Sequence, residues 1–356
     1  MGTSSERVIS HFKEQSIGCR DLGSPFTAAL CEAIAEDVEA GGPCEALIGN
    51  WPGNPRKDAL SMRFCGALHH GVLTGQADAL AAHYPKSRGD WELAALWPEA
   101  RAYLASNIDV VRDFIQSAPQ TNETRRSIAL LPGFLELSAK YGLPLNLLEI
   151  GASAGLNQNW DRFSYQTDTW SRAGDSSVLV STDWHGPPPK HLDATPIVTA
   201  RAACDLNPLD IHDPDKVLRL RSYIWADQPE RLARFDAAVA LARASGVVVE
   251  RADAGLWLKQ KLASRPAGTL TVIYHSVFLQ YPPRETIRDM TETITSAGEA
   301  ASDDAPLAWL CFEPEALFGG TKGSPVMWSR LQTWPTGDIH IFAHSDGHAT
   351  QLKYLP

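Results

Sequence analysis

The sequence predicts an α/β protein in which a mostly parallel sheet ends in an antiparallel hairpin and follows an all-helical N-terminal domain. Three observations indicate this class. Apolar residues recur at helical spacing through the first 143 residues, short apolar runs alternate with amphipathic segments after Pro144, and the last strand-like stretch is interrupted by Asp346-Gly347.

Residues 1–143 are the predicted helical domain. Ser24 and Pro25 open one of its helices, because a serine hydroxyl caps free N–H groups and proline is tolerated at the first helical position. Gly41-Gly42 closes that helix. Further amphipathic stretches lie at about 61–83, 91–117 and 123–141.

Residues 144–356 are the predicted α/β domain. A two-residue Asp346-Gly347 turn is expected to join the last two strands, and an insertion at about 160–195 interrupts the alternation. The tryptophans of that insertion either form its small core or line a pocket. Buried strands are expected at 145–150, 197–204, 246–251, 269–274 and 307–312, with helices at 228–244, 254–264 and 283–297.

Charge and composition exclude several classes of partner. The chain has 32 basic and 42 acidic side chains, a net charge of −10, which argues against broad contact with nucleic acid or anionic lipid. It has no apolar run long enough to span a membrane, and its N-terminus lacks an apolar signal core. The six cysteines form no C-x-x-C pair, which predicts reduced thiols in a cytoplasmic protein. The oligomeric state stays open.

The turn after the first predicted strand is the main functional signal. Glu149 ends the strand, and Gly151, Ser153 and Gly155 follow at alternate positions. Small residues there let a ligand approach the backbone, and a helix that follows the turn would offer free N–H groups. A carboxylate suits a cationic cofactor better than a pyrophosphate. The alternative is a tight strand-to-helix connection without a ligand.

This turn resembles the first motif of class I S-adenosylmethionine-dependent methyltransferases, acid-x-Gly-x-Gly-x-Gly, with Ser153 in place of the middle glycine. The resemblance implies a Rossmann-like sheet, S-adenosylmethionine as cofactor, and an acid at the end of the second strand that binds the ribose hydroxyls. Asp205 is the candidate, and Asp183 and Asp175 are rivals. Asp205 lies 54 residues after Gly151 (205 − 151), against about 20 in a compact unit, so the intervening segment must contain an insertion.

Two further residues follow from the same resemblance. Asp253, after the third strand, would lie near the adenine, and His275, at the end of the fourth strand, would be the catalytic base. The alternative for Asp205 and Asp253 is helix capping, and for His275 a structural hydrogen bond. The fourth strand lacks the Asn/Asp-Pro-Pro-Tyr motif of amino-group methylation, which disfavours a polynucleotide substrate.

Longer blocks resemble a bacterial family known only as a domain of unknown function. They include the 12–25 segment, Leu148–Asn157, Asp205–Asp210 and Trp225–Pro229. This resemblance covers nearly the whole chain and implies a single family unit of bacterial origin. It assigns no chemistry.

The sequence therefore predicts methyl transfer from S-adenosylmethionine to a small molecule, with the helical domain as lid and specificity element. One alternative is a non-catalytic module of the same fold that binds a nucleotide or metabolite. A weaker one is a metal-dependent hydrolase using His340, His344 and His348, although no metal ligand set is assigned.

Overall fold

The computed structural model describes residues 3–87 and 89–356. These residues form two compact units, one made of the chain up to Thr121 with His212–Phe235, and the other of Asn122–Ile211 with Asp236–Pro356. The domain boundary after residue 143 stays a prediction. The α-helices are α1 Ser4–Asp21, α2 Pro25–Glu39, α3 Leu60–Leu73, α4 Asp78–Ala81, α5 Leu93–Ser106, α6 Ile108–Gln116, α7 Ser127–Tyr141, α8 Pro214–Ser222, α9 Pro229–Ala244, α10 Ala254–Leu262 and α11 Arg284–Glu299.

The first of these units, the chain up to Thr121 with His212–Phe235, is called the helical unit here, and in it the predicted start of α2 is confirmed. The Ser24 hydroxyl accepts a hydrogen bond from the Thr27 amide, and the carboxylate of Asp227 accepts one from the Phe26 amide at 3.1 Å. Two of the unpaired N–H groups at this helix end are therefore satisfied. The core of the unit is an apolar cluster that includes Phe12, Ile34 and Phe64.

The second unit contains a nine-stranded sheet with the order β5-β12-β11-β10-β9-β8-β1-β6-β7 and a three-stranded sheet with the order β3-β2-β4. The strands are β1 Leu145–Ile150, β2 Ser164–Gln166, β3 Ser171–Arg172, β4 Leu179–Ser181, β5 Asp183–His185, β6 Val198–Asp205, β7 Glu250–Arg251, β8 Leu270–Ser276, β9 Leu307–Pro314, β10 Met327–Trp334, β11 Ile339–Ser345 and β12 Gln351–Tyr354.

Five neighbouring strands, β7-β6-β1-β8-β9, are parallel, and β10, β11 and β12 add an antiparallel meander. The chain passes from β1 to β6 on one side and later reaches β8 on the other, so the strand order reverses at β1. Such a reversal leaves a crevice at the carboxyl ends of the strands, where ligands of open α/β sheets bind.

Both faces of the sheet are covered. Alternate residues of β1, Leu148 and Ile150, share an apolar cluster with Trp257 of α10 and Ile294 of α11. Helix α7 lies on the opposite face. Its Gly133 packs against Leu310 of β9, while the neighbouring Trp309 belongs to the cluster with α10 and α11. Because successive side chains of a strand point to opposite faces, α7 and this cluster lie on different faces of the sheet. This is the mostly parallel α/β architecture that the sequence predicts.

Most strand predictions are confirmed within two residues, and three details differ. The predicted strand at 246–251 shortens to the two residues of β7, and β10 was not predicted. The last two strands pair antiparallel, but the connection is longer than a two-residue turn. The side chain of Asp346 accepts hydrogen bonds from the amides of His348, Thr350 and Gln351 and from the Thr350 hydroxyl, which stabilises the wider loop.

The predicted insertion forms mainly short strands. Strands β2, β3 and β4 make the small sheet, and β5 pairs with β12 at the far edge of the large one. Trp170 contacts Trp184 edge to face, with ring centroids 4.9 Å apart, and Trp160 stacks on Phe134. The tryptophans thus form core contacts. No helix among the described residues is long and apolar enough to cross a membrane.

Replacing Asp346 with alanine should destabilise the protein, because the change leaves three backbone amides of a partly buried loop without their acceptor. We expect a loss of about 1–3 kcal/mol in the free energy of unfolding. Urea denaturation measures it, with Asp303→Ala, an exposed aspartate, as the matched control. Equal midpoints for the two variants would contradict this role of Asp346.

Candidate functional site

The site is built where the strand order reverses, at the carboxyl ends of β1, β6 and β8. We call it the β1 crevice and define it by Glu149, Gly151, Ser153, Asp205 and Phe278. Gly151 has a φ of +66°, and Ser153, a residue with a side chain, has a φ of +54°. Backbone of this left-handed kind favours glycine, so the predicted small residues are required by the turn itself.

Glu149 is buried and lies on the face of β1 opposite to Leu148 and Ile150, which is the face toward α7. Its side chain accepts one hydrogen bond, from the hydroxyl of Tyr274 on β8 at 3.2 Å, and no cation pairs with it among the described residues. Burial raises the pKa of Glu149 to about 8, the Tyr274 hydrogen bond opposes the shift, and the charge of Asp205 adds to it. The carboxyl group is therefore mostly protonated at pH 7.

Asp205 ends β6, the strand beside β1, and it holds the turn. One of its carboxylate oxygens accepts from the Ser153 amide at 2.9 Å and the other from the Asn207 amide at 2.8 Å. The rivals lie elsewhere, since Asp183 is in β5 at the sheet edge and Asp175 pairs with Arg162. Of the three acids, Asp205 is the one at the end of the strand next to β1.

The segment after the turn is not the expected α-helix. Leu156–Arg162 is a 3₁₀ segment with a non-helical residue at Asn159. The side chains of Asn157 and Asn159 are weak helix formers, and the Trp160 ring stacks on Phe134 of α7 at a centroid distance of 3.8 Å. Helix α7, which precedes β1, packs on this face of the sheet. The prediction of a helix N-terminus facing the ligand was therefore wrong.

Several backbone amides of the turn are already bonded within the chain. Ala152 donates to the Cys204 carbonyl, Gly155 to the Ala152 carbonyl, and Leu156 to the side chain of Asn122. These donors are not available to a phosphate. Gly155 is enclosed by Val247 and Val249, which a side chain at this position would strike.

Side chains near the turn, by contrast, carry buried polar atoms without partners. Between Ser153 and Asp161, five such atoms have no hydrogen-bond partner in the described parts of the chain. They are Ser153 Oγ, Asn157 Oδ1, Asn159 Nδ2, Trp160 Nε1 and Asp161 Oδ1. Native interiors satisfy nearly all such groups, so this segment has unused capacity for water or a ligand.

The other wall of the crevice is the loop after β8. A side chain at Gly151 would come within 2.3 Å of the Phe278 ring, so this ring packs directly on the glycine. Val277, the residue before it, has a φ of +53°, which is strained for a β-branched side chain. The half-buried Phe278 ring thus closes the crevice in this conformation.

His275 holds that loop together with Glu313 of β9. Its Nδ1 lies 2.7 Å from the Glu313 carboxylate, and its Nε2 accepts from the indole N–H of Trp309 at 2.9 Å. Glu313 also accepts from the amides of Phe278 and Leu279. Because an indole nitrogen only donates, Nδ1 carries the imidazole proton. Both ring nitrogens are therefore engaged in hydrogen bonds, as expected if His275 has the structural role that was its alternative interpretation.

Asp253 also has the role given as its alternative interpretation, which is helix capping. It is the N-cap of α10, where its carboxylate accepts from the amides of Gly255 at 3.0 Å and Leu256 at 3.1 Å. The structure therefore brings together Glu149, Gly151, Ser153 and Asp205 and gives Asp253 and His275 structural contacts. Their roles toward a cofactor stay predictions.

Within residues 3–87 and 89–356, no group of three or more His, Cys, Asp or Glu side chains is arranged to hold a metal ion. Of the C-terminal histidines, His340 pairs with Glu136 at 3.0 Å and His344 stacks on Trp328. His348 lies in the loop shaped by Asp346. These contacts give the metal-dependent hydrolase no support.

Three residues of the site, Tyr274, Phe278 and Glu313, were not predicted from the sequence. An acid at the end of an otherwise apolar strand, as in Leu-Ala-Trp-Leu-Cys-Phe-Glu313, is a signal that could have indicated Glu313. The contact of Phe278 with Gly151 has no local signal, because it joins residues more than a hundred positions apart.

Comparison with protein families finds one match over nearly the whole chain. The model of DUF2332, described as an uncharacterized protein conserved in bacteria, matches residues 10–354. Comparison with curated proteins and with solved structures finds no match in either.

The raised pKa of Glu149 gives a pH dependence of stability with a definite sign. Between pH 4.5 and about pH 8 the folded state keeps a proton that the unfolded chain loses, so this group's contribution to the free energy of unfolding falls as pH rises. The fall is at most about 1.4 kcal/mol per pH unit.

The substitution Glu149→Gln removes the titratable carboxyl group and keeps the shape of the side chain. We expect urea denaturation at pH 5, 7 and 9 to show a smaller decline for this variant than for the wild type. Glu299→Gln, an exposed glutamate, is the control and should follow the wild type. Parallel pH profiles for Glu149→Gln and the wild type would show that Glu149 titrates normally.

Proposed function

We propose that this chain, which belongs to the bacterial DUF2332 family, binds S-adenosylmethionine in the β1 crevice and transfers its methyl group to a small molecule. One observation carries the proposal. Glu149 is a buried carboxyl group at the reversal of the strand order, and no cation pairs with it in the described residues. The cofactor has an ammonium group and a sulfonium centre, either of which would lower the cost of ionising Glu149.

The residues near Glu149 offer polar groups that could bind such a ligand. Asp205 uses each carboxylate oxygen for one amide, and a carboxylate has about four acceptor sites, so it can still accept from ribose hydroxyls. The unpartnered atoms of Ser153 and Asn157 offer further polar contacts. These observations support the proposal together with the resemblance of the Glu149–Gly155 turn.

The Phe278 ring has to move before the cofactor can bind. It occupies the space against Gly151 that a cofactor would need, so the loop after β8 has to move before the ligand enters. The strain at Val277 lowers the cost of that movement, because a residue held at a φ of +53° gains stability when it relaxes. We therefore expect ligand binding to be coupled to a change of this loop.

When bound, the cofactor supplies an electrophilic methyl group for an in-line displacement. The chain's own residues would align the reactants and exclude water. Glu149 would hold the cationic end and Asp205 the ribose. Phe278 would cover the ligand after the loop closes. The net charge of −10 favours a small acceptor over a polynucleotide.

A second candidate is a non-catalytic module with the same ligand site. The contacts of His275 favour it, since both ring nitrogens are engaged and the ring is buried, which leaves the chain without its predicted base. Production of S-adenosylhomocysteine on a panel of small-molecule acceptors separates the two functions. Binding without turnover on any acceptor would favour the module.

Titration calorimetry with S-adenosylmethionine and S-adenosylhomocysteine tests the site, with ATP and NAD as control ligands. We expect binding of the two sulfur compounds alone, with release of nearly one proton at pH 7, because the ligand's cation ionises Glu149. Measurements in two buffers of different ionisation enthalpy give the proton number. Glu149→Gln should weaken binding by about tenfold or more and release no proton.

Phe278→Ala distinguishes the proposed closure from a permanently blocked crevice. Removing the ring removes the cost of displacing it, so we expect affinity to increase by several fold. Phe318→Ala, another partly buried phenylalanine of the same unit, should bind as the wild type does. Absence of binding in both the wild type and Phe278→Ala would contradict the proposal.

A further inference from the structure

Three of the four cysteines in the helical unit surround one cavity. Cys19 lies on α1, Cys31 on α2 and Cys65 on α3, and all three line the cavity together with His69 and Tyr84. The sulfurs of Cys31 and Cys65 are 4.0 Å apart, and both thiols are free. None of these residues belongs to the β1 crevice.

The thiols differ in their access to solvent. Cys19 and Cys31 are fully buried, whereas Cys65 is half-buried. The cavity has a volume of about 40 Å³, which accommodates a few water molecules. A small neutral oxidant such as hydrogen peroxide fits such a space, and a peptide disulfide does not.

The geometry points to Cys31 and Cys65 as a dithiol that hydrogen peroxide oxidises to a disulfide linking α2 to α3. This is a modification site in the helical unit, independent of the proposed methyl transfer. The sulfurs have to approach by about 2 Å to reach a bond length of about 2.05 Å. Cys31 is the resolving thiol because it is the neighbour of Cys65 within contact distance.

The reaction balances with one peroxide and two thiols. The Cys65 thiolate, its proton released to water, attacks one peroxide oxygen; the O–O bond breaks, and the departing hydroxide takes up a proton to form water. The Cys31 sulfur then attacks the sulfenic acid at Cys65. An S–S bond forms as the S–O bond breaks, and the departing hydroxide takes up the Cys31 proton to form a second water. The two sulfurs have then lost two electrons to the peroxide.

Two neighbours, Cys19 and His69, bear on how readily the thiols are oxidised. Gln15 donates a hydrogen bond to the Cys19 sulfur at 3.5 Å, and the neighbouring Cys31 thiol lowers the pKa of Cys19. Burial lowers the pKa of His69 to about 4, so the ring is neutral at pH 7 and gives the thiols no positive charge. Without a cation from this ring, we expect oxidation to lack the acceleration of a dedicated peroxidase.

Peroxide treatment of the reduced full-length protein, followed by thiol counting after denaturation and by disulfide mapping, tests the assignment. We expect the six thiols to fall to four (6 − 2), with Cys31 and Cys65 in one linked peptide. Glutathione disulfide, which is too large for the cavity, should give at least tenfold slower loss of thiols from the native protein.

Variants identify the attacking thiol. Cys31→Ala should accumulate a sulfenic acid at Cys65, trapped by dimedone, and Cys65→Ala should give neither that adduct nor the disulfide. Cys44→Ala, a buried cysteine of the same unit that does not line the cavity, is the matched control and should form the disulfide as the wild type does. A Cys19–Cys31 linkage, or six free thiols at peroxide concentrations that oxidise the methionines, would overturn the assignment.

Discussion

The buried carboxylate of Glu313 determines the shape of the crevice. It accepts three hydrogen bonds, from the imidazole of His275 and from the amides of Phe278 and Leu279. A fully buried carboxylate needs such donors to offset the loss of hydration. By accepting from the amides of Phe278 and Leu279, it fixes the loop in which Val277 is strained and the Phe278 ring packs on Gly151. The closed state of the crevice follows from this one acid.

Two buried acids, one near the end of β1 and one near the end of β9, therefore have different roles. Glu313 has three donors inside the protein, so its hydrogen-bonding needs are met without a ligand. Glu149 has one donor, the Tyr274 hydroxyl, and burial raises its pKa to about 8. The first acid is structural and the second has capacity for a cation. This contrast, more than the glycines of the turn, supports the proposal that Glu149 binds the ligand.

Strands β1, β8 and β9 were predictable because each is buried on both faces over nearly its whole length and so appears as a mostly apolar run. Strand β10 alternates buried and partly buried positions over most of Met327–Trp334, and the polar residues among them hid the strand from the apolar pattern. The position of Asp205 at the end of the strand beside β1 was expected from the methyltransferase resemblance, which left Asp183 and Asp175 as rivals. The absence of a helix after Gly155 was not, because α7, an element from before β1, packs on that face.

The site was predictable only where its residues are close in sequence. Glu149, Gly151 and Ser153 form a local pattern, and the positive φ values at the last two explain the demand for small residues. Phe278 and Glu313 act through contacts across strands, which no local pattern encodes. His275 was found by its position at a strand end, and its ring turned out to be held by Glu313 and Trp309.

A crystal structure of the protein with S-adenosylhomocysteine is the most direct test of the proposed binding site. We expect ligand density against Gly151, the ammonium group within ion-pair distance of Glu149, and the Phe278 ring displaced from its contact with the glycine. Density for the ligand elsewhere, or a bound ligand with Phe278 still packed on Gly151, would contradict it.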